Sequence, residues 1–451
     1  MLHLIVLETR LLWRQAVATA VLLIVIGASV LAIANGAALL DANASGRAAA
    51  VAEADKAQTR LRATLVKPMP PADAVYLPMQ VRLGVAAPMP PLIDASAGRA
   101  AYDAVATGVS LRARADTLFK RTSLANPEML ARGGFDLGFV AIVIAPLLLI
   151  GLGHGVFTAD RDSGAARLVL AQAGGPGRLL LARSLPRLGL VVLPLLVALV
   201  WLVATGPALP GRGAAALGWA AVVLLYLAFW WSSILLVNTL RISAETAALA
   251  LVSAWALVTL VLPAVIAAIA QIAYPPPSRF EQIASARAAE IAATTAWDND
   301  HKARIEGDVA GALADARRSL AIGRTVEAAV APVNARFDAQ LAAQRRVVTT
   351  LSLLSPPLVA GDALVDSAGT GPDAALAFRQ ATAAYLATLK TRLAGFIEAG
   401  EPMTAAGYAA LPRFAAAPAS RPPTLALLYL GVATLATGIF AARRYAGLRL
   451  D

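Results

Sequence analysis

The sequence predicts an all-α polytopic membrane protein: six transmembrane helices, both termini cytoplasmic, and a large, mainly helical extracytoplasmic domain built from two insertions. Three observations carry that expectation. The chain of 451 residues is 58% hydrophobic and only 15% charged, with a mean hydropathy of +0.67, too apolar to keep a wettable surface as a soluble protein. Six apolar windows are long enough, at about 20 residues, to cross roughly 30 Å of hydrocarbon as helices. The short loops between them carry arginine almost entirely on one side.

Residues 1–14, MLHLIVLETRLLWR, mix Leu2, Ile5, Val6, Leu11, Leu12 and Trp13 with Glu8, Arg10 and Arg14, a pattern suited to a short helix lying in the cytoplasmic interface. The plainer alternative is a cytoplasmic extension of the first span. The spans are 15–39, 134–157, 188–206, 214–240, 246–273 and 424–442, followed by a cytoplasmic tail at 443–451. Within them stands one acid, Asp136, near the outer end of the second, and no lysine or arginine. Ion-coupled transporters usually keep ionisable groups at mid-membrane, so a secondary transporter is disfavoured. With the N-terminus inside, the short inside segments hold eleven arginines, from Arg10 to Arg449, against Arg212 alone in the short outside loop, which sets the orientation.

Segments 40–133 and 274–423 are too long to be loops and nearly balanced in charge: twelve basic and eight acidic residues in the first, fifteen and fourteen in the second. No dense basic stripe exists, so nucleic acid is not an expected partner. The first segment reads as a helical run over 51–66, a proline-rich stretch expected to be extended, and renewed periodicity over 102–119. In the second, apolar positions such as Leu313, Leu320, Val326 and Val330 recur at helical spacing over 302–354, with Pro332 as a candidate break, and a further helix runs over 373–399 after Ser355-Pro356-Pro357. These stripes serve as core or as docking surface for an extracytoplasmic partner.

The absence of cysteine excludes disulfides and thiolate chemistry. His3, His154 and His301 stand too far apart for a metal motif, and no nucleophile elbow, zinc motif or P-loop is present. No catalytic, metal or cofactor site is expected.

Between the second and third spans, residues 158–187 form the cytoplasmic loop TADRDSGAARLVLAQAGGPGRLLLARSLPR. Thr158 can cap a helix whose first turn carries Asp160 and Asp162, and that helix would run through Leu170 and stop at Gly174-Gly175-Pro176. Together with its flanking spans the stretch resembles the second span, coupling helix and third span of ABC-2-type transporter permeases, whose Glu-Arg-Glu-x-Gly-Thr-Leu element aligns with Asp160, Arg161, Asp162, Gly164, Ala165 and Ala166. The segments NPEMLARGGFDLGF and SPPLVAGDALVDSAGT resemble a bacterial subfamily with a large uncharacterised extracytoplasmic region.

That resemblance implies a permease subunit of the bacterial inner membrane, with its large segments in the periplasm and no ATPase of its own. Cytoplasmic ABC ATPase subunits, which bind ATP and Mg, would grip the coupling helix at Asp160, Arg161, Asp162, Gly164 and Arg167. Translocation, in the direction of export, or action on a periplasmic partner would follow. Pairing with a second copy or a homologous permease subunit is implied too. In relatives the first and fifth spans mediate it, and Gly27, Ala28, Ala32 and Gly36 would allow close approach, although an alanine-rich composition explains them equally. The alternative function is a non-transporting membrane scaffold or sensor with a ligand-binding extracytoplasmic domain.

Overall fold

The computed structural model describes every residue except 1, 67, 101, 116, 120–133, 163, 165–167, 170–175, 241, 276–277, 302–307, 416–419 and 447–451. The chain is mostly helical, and among the described residues five helices are long and apolar enough to cross a membrane: α2 (Ala16–Val66), α6 (Pro176–Thr205), α7 (Arg212–Asn238), α8 (Ala244–Ala273) and α14 (Thr424–Ala446). The apolar helix α4 (Leu137–Gly153) is shorter. A short helix α1 (Leu2–Trp13) precedes α2 and packs on α6. Glu8 and Leu12 are its buried residues, while Leu2, Val6, Leu7, Leu11 and Trp13 stay exposed.

The central helix is α7. Trp219, Tyr226, Leu227 and Ile234 on it are fully buried, and α4, α6 and α14 pack around it. Two of the surrounding helices share a device. A π-turn at Val140–Ile144 ends two residues before Pro146, and another at Leu257–Val261 ends two residues before Pro263. Proline has no N–H to give the preceding turn, so a carbonyl is orphaned, and in an apolar setting another group must satisfy it. The Tyr226 hydroxyl donates to Ile142 O at 2.9 Å, and the Ser355 hydroxyl donates to Val258 O at 2.8 Å.

Several elements differ from the sequence expectation. The first apolar helix does not stop at residue 39. α2 runs unbroken for 51 residues, about 75 Å at 1.5 Å per residue, so the helical run over 51–66 is its continuation. The three glycines on the way, Gly27, Gly36 and Gly46, cost only about 1 kcal/mol each and leave the alanine-rich helix intact. Gly36 is needed there: a Cβ would sit 2.0 Å from Asp94 O, where a turn of the outer domain crosses the helix.

The proline-rich stretch, expected to be extended, forms the short helix α3 (Pro71–Tyr76) with Pro71 at its first turn. Residues 102–119 contain a strand, not a helix. β2 (Ala106–Ser110) pairs antiparallel with β1 (Arg82–Ala86), Gly84 opposite Gly108. Leu83, Val85 and Val109 enter the core of the outer domain, so among the described residues this hairpin is the one sheet in a helical fold.

In the second insertion, α9 (Arg279–Asp300) pairs with α10 (Asp308–Ser352), which passes Pro332 without a break. The next helices are α11 (Pro356–Ala368), α12 (Pro372–Ala399) and the short α13 (Ala405–Ala409). Leu386, Leu389, Leu393 and Ile397 of α12 join Met403 and Tyr408 against the hairpin. The Ser355-Pro356-Pro357 break is the tip of a hairpin between α10 and α11, seated at the middle of α8 through Ser355 and tied to α14 by Tyr429, whose hydroxyl donates to Leu353 O at 2.7 Å. α11 then packs along α7, with Ala360, Ala363 and Leu364 inside the helix-bundle core.

Candidate functional site

At the end of the bundle that carries α1, five elements meet in a polar knot. α4 ends at Gly153 and, after the turn 154–157, the chain enters α5 (Thr158–Asp162). The fully buried Asn238, the last residue of α7, holds this turn. Its Nδ2 donates to Gly153 O and Ile234 O at 3.0 and 2.9 Å, while Oδ1 accepts from Phe157 N at 3.1 Å and Thr158 N at 3.4 Å. One amide thus satisfies backbone groups that a tight, buried turn would leave unpaired.

Arg183 and Arg187, one turn apart on α6, supply the cations. Arg183 Nε lies 3.0 Å from Glu8 Oε1, and its Nη1 reaches Asp160 Oδ2 and Val156 O, both at 2.5 Å. Arg187 Nε donates to Leu152 O at 3.2 Å, and its Nη1 stands 3.6 Å from Glu8 Oε2. Arg161 donates to Leu240 O at 2.7 Å and to Ile242 O, clamping α5 to the turn between α7 and α8. Phe157 meets Tyr445 of α14 edge to face, centroids 5.3 Å apart. Guanidinium groups suit this place because their fork of donors can serve several acceptors at once.

The predicted coupling residues therefore divide. Asp160 and Arg161 also turn into their own chain, Asp160 onto Arg183 and Arg161 onto the carbonyls of Leu240 and Ile242. The Thr158 hydroxyl donates to His154 O at 3.1 Å. α5 is a single turn ending at Asp162, whose backbone alone is described, because Gly164 adopts φ +75°, a left-handed conformation that stops the helix. Gly164 is exposed with open space where a Cβ would be. Leu168, helical again, is 64% exposed. Arg167 and the Gly174-Gly175 turn lie outside the described residues, and α6 opens with Pro176.

The small residues expected at a dimer contact are largely occupied within the chain. Ala32 is fully buried, Gly36 packs against Asp94, and Ala28 lies against the helix-bundle core. Gly27 alone of the four has open space. Asp136, placed within a span by its neighbours in sequence, is instead the N-cap of α4: Oδ1 accepts from Phe139 N and Oδ2 from Ala97 N, both at 2.7 Å.

At the opposite, domain end of α7 stands a pair that sequence reading missed. Arg212 donates to Asp94 Oδ2 at 2.6 Å, Pro91 O at 2.7 Å and Leu202 O at 2.7 Å, with the two side chains 4% and 2% exposed. Trp219 Nε1 donates to Ser96 Oγ at 2.9 Å two turns along. These bonds join the first insertion to α6 and α7. The sole hint in the sequence was a lone arginine in a seven-residue loop.

Residues 316–417 match the model of a domain of unknown function, DUF3526; they take in most of α10, the seated hairpin tip, α11, α12 and α13. No curated protein and no solved structure matches the chain.

Proposed function

We propose that this chain is the membrane permease subunit of an ATP-driven transporter of the ABC-2 type, set in the bacterial inner membrane with the α1 end cytoplasmic and the two insertions periplasmic. The observation that carries the reading is the polar knot. Charged and amide side chains from α1, α5, α6 and α7 are concentrated at one end of the bundle, where they tie one short exposed turn to several helices at once. A push on Gly164 or Leu168 is thereby delivered to α4, α6, α7 and α8 together, as coupling to a separate motor requires. Two such chains, or this chain and a similar one, form the complete unit, and ATP with Mg resides on the partner ATPase. Translocation by export, or force applied to a periplasmic partner, is the output.

Affinity purification of the full chain from its native membrane tests this. A nucleotide-binding subunit that copurifies in stoichiometric amount, with ATP hydrolysis in the eluate, is the expected result. Recovery of the chain as a homogeneous species without any nucleotide-binding subunit contradicts the proposal.

A further inference from the structure

Where α2 leaves the helix bundle, a cavity of about 190 Å³ opens between that helix, the loop 87–91 and the start of α12. A dry cavity of about 150 Å³ already accepts benzene, so this one holds a ring-sized molecule. Its walls are apolar on two sides: Pro88 and Pro90 from the loop, Phe119 and Phe378 from the outer domain. The two rings meet edge to face, centroids 5.4 Å apart.

The third side is polar and unmatched. Asn43 and Arg47 stand one turn apart on α2 and both line the cavity. Asn43 is 6% exposed; its Nδ2 donates to Leu39 O at 3.3 Å, and its Oδ1 has no hydrogen-bond partner. Arg47 Nε is likewise buried without a partner, and no acid among the described residues pairs with Arg47. A half-buried guanidinium with no counter-ion is costly, and such groups are normally paired or ligand-bound.

Asp103, the acid on the cavity wall, is shared by Arg99 at 3.4 Å and Arg379 at 3.6 Å, so Arg47 leaves the lining with an excess of positive charge. Gly371 and Ala374 at the start of α12 close the remaining wall.

We infer that this cavity binds a small monocarboxylate with an apolar, ring-sized body, its carboxylate on Arg47 and its body against Pro88, Pro90, Phe119 and Phe378. Asn43 Oδ1 accepts from a hydroxyl or amide N–H on ligands that have one. The site does not depend on an ATPase partner, since none of its residues belongs to the α1 end.

The test uses the full chain in nanodiscs and three probes of one shape: phenylacetate, phenethylammonium and toluene. Isothermal titration is expected to show saturable binding of phenylacetate, weaker binding of toluene and none of phenethylammonium. Arg47→Gln removes an unpaired buried cation, so it folds at least as well as the parent. It is expected to weaken phenylacetate about tenfold or more while leaving toluene unchanged, and Ala374→Leu, which fills the cavity, is expected to abolish both. Mandelate, with its added hydroxyl, binds more tightly than phenylacetate. Equal affinity for the anion and the ammonium, unchanged phenylacetate binding in Arg47→Gln, or no binding of phenylacetate at millimolar concentration overturns the inference.

Discussion

The two ends of α7 are held in opposite ways. At the domain end one guanidinium meets one carboxylate in an almost dry setting, Arg212 and Asp94 at 4% and 2% side-chain exposure. At the α1 end the charge is spread over Glu8, Asp160, Arg183 and Arg187, whose side chains are 10–22% exposed. A dry pair admits no water in place of a lost partner, so its geometry is fixed. A shared, partly wetted network can give up one contact while the others hold. The first is a joint between domain and bundle; the second is suited to a joint that changes shape.

Breaking the dry pair should have the largest effect. Arg212→Met leaves Asp94 buried without its partner, an expected loss of about 3–5 kcal/mol in denaturant unfolding of the purified protein. Adding Asp94→Leu should restore most of it, because an apolar pair replaces two charges; a double variant no more stable than the single one would show that the ion pair is not what holds this end.

At the knot the corresponding change is smaller. Arg183→Ala removes the bonds to Glu8, Asp160 and Val156 O, but Arg187 already stands 3.6 Å from Glu8, so a loss of about 2–3 kcal/mol is expected. If Arg183→Ala proves costlier than Arg212→Met, the contrast between the two ends is reversed.

The hairpin tip sharpens the comparison, since it fastens the outer domain to the bundle away from either end. Ser355→Ala deprives Val258 O of its donor and α11 of its N-cap, for about 1–2 kcal/mol. Ser355→Thr keeps the hydroxyl and should recover a substantial part in the same unfolding experiment.

Gly164→Ala is expected to have the smallest effect, about 1 kcal/mol, because the added methyl meets nothing and only the left-handed backbone resists it. Its melting temperature should shift least of the series.

Much of the helix content was legible because hydropathy reports a span wherever about 20 apolar residues run together. The end of α2 was not, since apolar content falls at Asp41 while alanine keeps the helix favourable to Val66. The β-hairpin was hidden for a related reason. β2 is only five residues, Ala106–Ser110 with one buried position, Val109, too short for its alternation to outweigh a helical pattern over a longer window.

Of the site, the position and polarity of the loop could be read, but not the direction of its side chains. Asp160 and Arg161 look like surface charges in sequence because their partners, Arg183 and the carbonyls of Leu240 and Ile242, are 23 to 81 residues away, and Glu8 is 175 residues from Arg183. Long-range pairing of this kind leaves no local periodicity. Arg212 was counted for orientation, a use that depends only on its side of the membrane, and its partner Asp94 sits in a proline-rich stretch with no repeat to mark it.

The central claim, that the exposed turn beside the knot docks a motor, is tested most directly by Leu168→Asp. Leu168 is 64% exposed, so the substitution leaves the fold and its melting temperature unchanged while placing a charge on the proposed contact. The ATP hydrolysis that copurifies with the chain should fall to background in Leu168→Asp and remain in Leu217→Asn, a control at a position 75% exposed on α7 near the domain end. Full retention of copurified ATPase activity in Leu168→Asp would contradict the account.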